Sequence, residues 1–139
     1  MSQRIYIDTS VVGGFLDDEF KEPTQLLFKR LENNEVKFVI SDLLELELIQ
    51  APKHVNELLL KYPADRFERI ELTEETMSLA DRYISDKVVG RTSLEDCRHI
   101  ALATINKVDV LASWNFKHIV NLDRIRGYNS VNLKLGYRQ

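Results

Sequence analysis

The sequence predicts an α/β fold with a central, mainly parallel sheet, and two observations lead to this fold class. Short apolar runs rich in β-branched residues alternate along the 139-residue chain with longer segments of helical periodicity. Such alternation favours a parallel sheet covered by helices on both faces. Hydrophobic residues make up 44% of the chain and charged residues 29%, which is enough for a core and argues against disorder. We therefore expect one domain that covers residues 1–139.

Each predicted element rests on a local pattern. The strands are short and apolar, and the helices carry apolar residues three and four positions apart. Ser41, Thr73 and Ser93 are good N-cap residues and open three of the helices. In chain order, strands are predicted over 4–8, 36–40, 67–72 and 109–113, and helices over 23–31, 42–50, 52–60, 74–86 and 93–107.

Composition narrows the classes of protein to be considered. The net charge of −3 gives no general basic field of the kind that nucleic-acid binders carry, although a local basic patch is compatible with it. The single cysteine, Cys97, excludes an internal disulfide, and its apolar neighbours predict a core position. No signal-peptide pattern and no long apolar run is present, so we expect a cytoplasmic protein with no membrane partner.

Acidic residues stand at places where parallel sheets bind ligands, outside the carboxyl ends of the strands. In "IYIDTSVVGG" a strand that looks buried delivers Asp8 at its end. One interpretation is that Asp8 caps the next helix, and the other is that it forms one wall of a metal site. The residues after the other strands must decide between them.

The helix in "SDLLELELIQ" contains two nearby glutamates, Glu45 and Glu47, that helical geometry separates. Its apolar stripe consists of Leu43, Leu44, Leu48 and Ala51. Glu47 projects from the middle of this stripe, whereas Glu45 lies well round the helix. A carboxylate within an apolar face is costly unless it is paired or binds a metal, and both interpretations of Glu47 stay open.

Two further polar residues belong to the later elements. In "SLEDCRHIALATINK", Asp96 falls at the edge of the apolar surface, in the first turn, where an acid also helps a helix to start. His99 is predicted on the polar side of that helix. In "DVLASWNFKHI" the strand delivers Asn115, which can coordinate a hard cation through its amide oxygen or serve only the turn.

Taken together, Asp8, Glu47, Asp96 and Asn115 all fall at the predicted carboxyl end of the sheet or in the helix turns nearby. Several carboxylates gathered without basic partners repel one another, and a divalent cation removes that repulsion. Ligands that are oxygen only suit Mg²⁺ or Mn²⁺ rather than zinc. Such sites activate water and neutralise the charge of a phosphodiester.

With these residues identified, the chain resembles a PIN domain, the metal-dependent nuclease fold shared by VapC-type toxins. "YIDTSVV" is similar to the opening strand with the first acid, Asp8. "ISDLLELEL" resembles the motif in which a serine, Ser41, is followed six positions on by a glutamate, Glu47. "SLEDCRHIALAT" is similar to the helix that bears the third acid, Asp96, and "VLASWNFKHI" places Asn115 where many members have a fourth acid.

The resemblance implies a PIN-like three-layer α/β/α sandwich and a Mg²⁺- or Mn²⁺-dependent endoribonuclease. Asp8, Glu47 and Asp96 are then the metal ligands, and Asn115 a catalytic residue that ligates weakly or orients a water. Because an amide supplies no charge, any second metal is expected to be held less tightly. The sequence ends at "LGYRQ", where the family leads us to expect a last strand, so the sheet is expected to be one strand short or the chain truncated.

The resemblance also implies partners. RNA is the expected substrate, and Arg91, Arg98, Lys117 and His118 are candidates for contacts with its backbone. A toxin of a type II toxin–antitoxin pair would be blocked by a small antitoxin protein, and homodimers are common among relatives. Trp114 is expected to pack in the protein rather than to stack on a base.

Two alternatives belong to other classes. The first is a catalytically weakened PIN-fold module that binds RNA or protein, because Asn115 replaces an acid. The second is a phosphatase of the haloacid dehalogenase type, which is disfavoured because Ser10 stands where that class places a second aspartate. A receiver domain is disfavoured as well, since "SWNFKHI" does not fit its final hydroxyl and lysine pattern.

Overall fold

Strands and helices alternate through the part of the chain that the structure describes. The structure, a computed structural model, describes residues 3–86, 94–115, 119 and 122–137, apart from the side chains of 122–124. The strands are β1 (Gln3–Ile7), β2 (Val36–Ser41), β3 (Phe67–Ile70) and β4 (Val110–Ala112). The helices are α1 (Thr9–Gly13), α2 (Lys21–Glu32), α3 (Asp42–Ile49), α4 (Lys53–Asn56), α5 (Glu74–Ser85), α6 (Leu94–Ile105) and α7 (Leu122–Leu135), with 3-10 turns at Gly14–Leu16, Leu58–Lys61 and Ala64–Arg66.

The four strands form one sheet in the order β3–β2–β1–β4, and every neighbouring pair is parallel. Strand β1 lies inside the sheet, with Ile5 opposite Phe38 of β2 and Val110 of β4. Successive side chains of a strand point to opposite faces, and both Tyr6 and Ile7 are completely buried. Burial on both faces is typical of an interior strand in a parallel sheet. The predicted α/β class with a mainly parallel sheet is confirmed.

The chain divides into two compact units, and the first, Met1–Ile70 with Val108–Trp114, contains the whole sheet. One face of its sheet carries a core cluster in which the ring of Phe28 meets that of Phe38 edge-on at 5.2 Å. Further members of this cluster are Ile5, Ile7, Val11, Val12, Leu31, Val36, Leu44, Leu48, Val55 and Leu58.

The second unit, Glu71–Lys107 with Asn115–Gln139, is helical in its described part. Tyr83 of α5 packs edge-on against Tyr128 of α7 at 4.9 Å and donates a 2.5 Å hydrogen bond to Asn132 Oδ1. Among the described residues, no helix combines the length and the apolar character needed to cross a bilayer. The single-domain organisation over 1–139 stays a prediction.

Helix α6 corrects one expectation. The prediction that His99 lies on a polar face is wrong, because its side chain is 2% exposed. The buried residues of α6 run Cys97, His99, Ile100, Ala101, Leu102 and Ala103, which surround most of the helix. A helix buried on most sides has no solvated face in that stretch for a histidine to occupy. The predicted core position of Cys97 is confirmed.

Candidate functional site

The strand order places one polar cluster at the point where the direction of the sheet reverses. From β1 the chain steps to β2 and β3 on one side, and it then returns to β4 on the other side of β1. Ligands of open parallel sheets bind at such a switch point, outside the carboxyl ends of the strands. Asp8 directly follows β1, and Ser113 directly follows β4.

Asp8 is nearly buried, with 4% of its surface exposed, and both of its carboxylate oxygens accept hydrogen bonds. Ser10 Oγ donates to Oδ1 at 2.6 Å, and Ser113 Oγ donates to Oδ2 at 2.6 Å. The backbone N–H of Val11 also donates to Oδ1, at 3.3 Å, so Asp8 is the N-cap of α1. Among the residues that the structure describes, every donor to Asp8 is electrically neutral. These bonds fix the orientation of the carboxylate, and the described donors carry no positive charge.

Glu47 lies on α3 and contacts the residue that follows Asp8. Ser41 caps this helix, its Oγ accepting from the backbone N–H of Leu44 at 3.1 Å. Glu47 Oε1 accepts a hydrogen bond from the hydroxyl of Thr9, the residue after Asp8. Glu45 instead pairs with Arg69 at 2.5 Å, away from this cluster. These contacts agree with the helical-face argument that separated the two glutamates.

Tyr6 lies near the end of β1, and its phenol has a raised pKa. Burial raises the pKa of the Tyr6 phenol, and the charges of Asp8, Glu47 and Asp42 raise it further. The hydrogen bond between Tyr6 Oη and Ser41 Oγ, 2.9 Å long, acts in the opposite direction. The carboxylates of Asp8, Glu47 and Asp42 thus lie close enough to Tyr6 to add to the effect of burial on its pKa.

The other two predicted residues meet in the second unit. Asp96 lies in the first turn of α6 and is half-buried. Asn115 Nδ2 donates to Asp96 Oδ1 at 3.2 Å. The carbonyl of Asn115 also accepts from the backbone N–H of Ile119 at 3.1 Å, so this asparagine both shapes a turn and touches the acid. The conformational and the functional interpretations of Asn115 are compatible with each other.

Asp96 and Asn115 are thus hydrogen-bonded to each other in the second unit, whereas in the first unit Glu47 contacts the residue after Asp8. Within neither unit do three His, Cys, Asp or Glu side chains of the described residues form a group able to hold a metal. The meeting of Asp8, Glu47 and Asp96 around one cation stays a prediction.

The predicted RNA contacts are described only at Arg98. Arg91, Lys117 and His118 lie outside the described residues, as does Ser93, the predicted N-cap of α6. Arg98 is half-buried, and its Nε is a buried donor with no acceptor among the residues described.

Sequence reasoning assigned no contact to three hydroxyl residues that hold the acids, Thr9, Ser10 and Ser113. The available signal was small hydroxyl residues immediately after two strand ends, in "DTS" and "LAS". Trp114 packs, as expected, with its ring stacked on that of Phe20 at 5.7 Å.

Comparisons with known proteins give the fold. No protein-family profile and no curated protein matches the sequence. Among solved structures, the chain is similar to a chain of VapBC2 from Rickettsia felis, crystallised bound to a DNA fragment from their promoter. The TM-score is 0.53 at 14% identity, and the match covers 84% of this chain and 93% of that one. At this identity the likeness shows a common fold.

Proposed function

We propose that this protein is a Mg²⁺- or Mn²⁺-dependent endoribonuclease of the PIN domain family. In this proposal Asp8, Glu47 and Asp96 hold the cation, and Asn115 acts as a weak fourth ligand or orients a water. The observation that carries the proposal is the nearly buried carboxylate of Asp8, which lies at the switch point of the sheet and whose donors among the described residues are all neutral.

The residues of the first unit fit a hard divalent cation. Burying a carboxylate is costly, and hydrogen bonds from neutral donors orient it and offset part of that cost without supplying a positive charge. Asp8 and Glu47 supply oxygen atoms only, which is the donor type that Mg²⁺ and Mn²⁺ prefer. No nitrogen or sulfur ligand has been assigned to this set, so a zinc site is not proposed.

The roles of the chain's own residues follow from their contacts. When bound, a divalent cation supplies a nucleophile from water and neutralises charge on the phosphodiester. Ser10 and Ser113 each orient one oxygen of Asp8, and Thr9, the residue after Asp8, orients Glu47. Asn115 holds Asp96 through its amide N–H. These neutral donors keep the acids oriented for the cation before it binds.

Family, partners and location are part of the same proposal. The four motifs resemble the PIN domains of VapC-type toxins, and the structural likeness to VapBC2 supports the same fold. A toxin of this kind acts in the cytoplasm, is paired with a small antitoxin protein that blocks the site, and forms homodimers. RNA is the substrate in this proposal.

The proposal is tested by incubating purified protein with single-stranded RNA at several Mn²⁺ and Mg²⁺ concentrations. We expect cleavage that requires the metal and is abolished in Asp8→Asn, which removes charge with little change of shape. Cleavage that persists in Asp8→Asn indicates a co-purifying nuclease. No cleavage by the unmutated protein across metals and substrates contradicts the proposal.

One observation favours the alternative of a PIN-fold binding module. Asn115 donates an N–H to Asp96, so in the described structure the amide already occupies one oxygen of that acid. If the protein binds RNA without cleaving it, and the affinity does not depend on divalent cations, the binding module is favoured over the nuclease.

A further inference from the structure

Two hydrogen bonds that share the hydroxyl of Ser10 connect the backbone of Trp114 to the carboxylate of Asp8. The N–H of Trp114 donates to Ser10 Oγ at 2.9 Å, and the same Oγ donates to Asp8 Oδ1 at 2.6 Å. A hydroxyl that accepts from one side must send its own proton in another direction. The position of the Trp114 backbone therefore helps to aim the hydroxyl proton of Ser10 at Asp8.

The ring of Trp114 is fixed at its far end. Nε1 donates to Thr24 Oγ1 at 2.9 Å, and that hydroxyl donates to the carbonyl of Phe20 at 2.6 Å. Thr24 is completely buried. The indole also lies parallel to the ring of Phe20, with an angle of 1° between the planes. The hydrogen bond to Thr24 and the stacking on Phe20 thus hold the indole against the start of α2.

Gly14 makes room for this arrangement. A Cβ at this position would lie 2.8 Å from Thr24 Oγ1 and 2.9 Å from both Cδ1 and Nε1 of Trp114. These distances are shorter than any normal carbon contact, so a side chain at Gly14 would displace the bond between Trp114 and Thr24. The glycine is required by the close approach of the indole.

We propose that Trp114 is a positioning residue for Asp8. Held at its ring by Thr24 and Phe20, it fixes Ser10 through its backbone N–H, and Ser10 fixes the carboxylate. The chain of contacts lies entirely within the first unit. The consequence for metal affinity rests on the proposed function, whereas the consequence for the hydrogen bond between Trp114 and Ser10 does not.

The first test measures that hydrogen bond in metal-free protein. The variant is Thr24→Val, which keeps the shape of the side chain and removes the acceptor for the indole. We expect amide exchange at the Trp114 backbone N–H, followed by NMR, to become about threefold to tenfold faster, as for the loss of one neutral hydrogen bond. Thr24→Ser retains the hydroxyl and is expected to restore the slow exchange.

Thr104→Val is the matched control. Thr104, like Thr24, donates to the carbonyl four residues earlier, at 2.8 Å, but it lies in the other unit. This variant is expected to leave exchange at Trp114 unchanged. Equal rates in Thr24→Val and the unmutated protein, or equal acceleration by Thr104→Val, overturn the positioning role.

The second test is a double-mutant cycle on Mn²⁺ affinity, measured by calorimetry with MnCl₂. Ser10→Ala is expected to weaken binding about tenfold, as is usual for partners of metal ligands, and Thr24→Val less. Because Thr24 acts on Asp8 through Trp114 and then Ser10 in this proposal, Thr24→Val should add little in the Ser10→Ala background. Fully additive effects overturn the proposal. If the unmutated protein takes up no Mn²⁺, the proposed function fails, and amide exchange alone decides the role of Trp114.

Discussion

Asp8 shows how one side chain serves the fold and the site together. It caps α1 through the backbone N–H of Val11, and its two oxygens also receive the hydroxyls of Ser10 and Ser113. The capping and the metal-site interpretations of "IYIDTS" are therefore not exclusive. A cap needs only one acceptor, and the two additional donors fix the carboxylate more strictly than helix initiation requires.

The substitution Asn115→Asp tests whether the candidate site is active or inert. The substitution replaces the amide donor 3.2 Å from Asp96 Oδ1 with a second carboxylate. Without metal we expect the melting temperature to fall, because like charges meet at short range. With Mn²⁺ we expect a larger rise in melting temperature than the unmutated protein shows, and RNA cleavage at lower metal concentration.

Asp8→Asn is the control for this comparison, because any RNA cleavage that it shows comes from a contaminating nuclease. If Asn115 serves only its turn, aspartate is accepted there equally well, and stability changes slightly with no dependence on metal. A metal response identical in Asn115→Asp and the unmutated protein contradicts the role of Asn115 as a weakened ligand.

At the residue scale the sequence led to the acids as candidate ligands, which stays a prediction, but not to the contacts of the hydroxyl groups that hold them. Glu47 could be distinguished from Glu45 because helical spacing alone puts them on different faces. The hydroxyls of Ser10 and Ser113 come from segments 103 residues apart in the chain, and they meet near Asp8 only because β1 and β4 are neighbours. Periodicity carries no signal for such a contact.

At the scale of elements, α3 is the helix that carries Glu47. Its N-cap, Ser41, also contacts the hydroxyl of buried Tyr6 at 2.9 Å. Ser41→Ala is expected to lower the free energy of unfolding by about 1 kcal/mol through loss of the cap. Since α3 carries Glu47, we also expect a smaller Mn²⁺-dependent rise in melting temperature.

Thr73→Ala is the matched control for this prediction. Thr73 caps α5 in the same way, its Oγ1 accepting from the N–H of Thr76 at 3.2 Å. Urea denaturation should show a comparable loss of stability, about 1 kcal/mol, with the metal response unchanged. If both variants reduce the metal response equally, the effect of Ser41 on Glu47 is not specific.

An ion pair joins β1 and β3, the two strands on either side of β2. Arg4 of β1 binds Glu68 of β3 with both Nε and Nη2, at 2.9 and 2.6 Å. The hydrogen bonds and charge of Arg4 lower the pKa of the Glu68 carboxyl. A carboxyl with a lowered pKa stabilises the fold above its ordinary value of 4.5, and this stabilisation is lost as the pH falls through the lowered pKa.

Glu68→Gln is therefore expected to flatten the acid limb of the stability profile. Above pH 4.5 the variant should be less stable by about 0.5 kcal/mol, since both side chains are partly exposed, and at lower pH the difference should vanish. Urea denaturation at a series of pH values measures this, with Glu35→Gln at an exposed position as the control. A difference that persists unchanged at low pH contradicts the assignment.

Most elements were predictable because their periodicity is strong, and the two missed helices show the limit. Helix α1 has only five residues, too few for a periodic pattern to be read. Helix α7 contains Gly127 and two asparagines, which lower helix propensity, although its Tyr128 and Val131 are buried by packing. In both cases tertiary contacts decide the structure.

At the scale of the whole molecule, the predicted alternation of strands and helices led to the correct class of sheet. The order β3–β2–β1–β4 was not predicted, and it is this order that brings the ends of β1 and β4 side by side. A strand order depends on how crossover connections pack, which the sequence pattern does not encode locally. The function proposed depends on that order, because it creates the switch point at Asp8.

The central proposal is that Asp8, Glu47 and Asp96 bind one cation. Calorimetric titration with MnCl₂ tests it most directly, using the unmutated protein, Asp8→Asn, Glu47→Gln and Asp96→Asn, with Glu45→Gln as the control. We predict that each of the three site variants weakens binding at least about tenfold and that Glu45→Gln binds normally. No uptake of Mn²⁺ by the unmutated protein, or undiminished binding by Asp96→Asn, would contradict the claim.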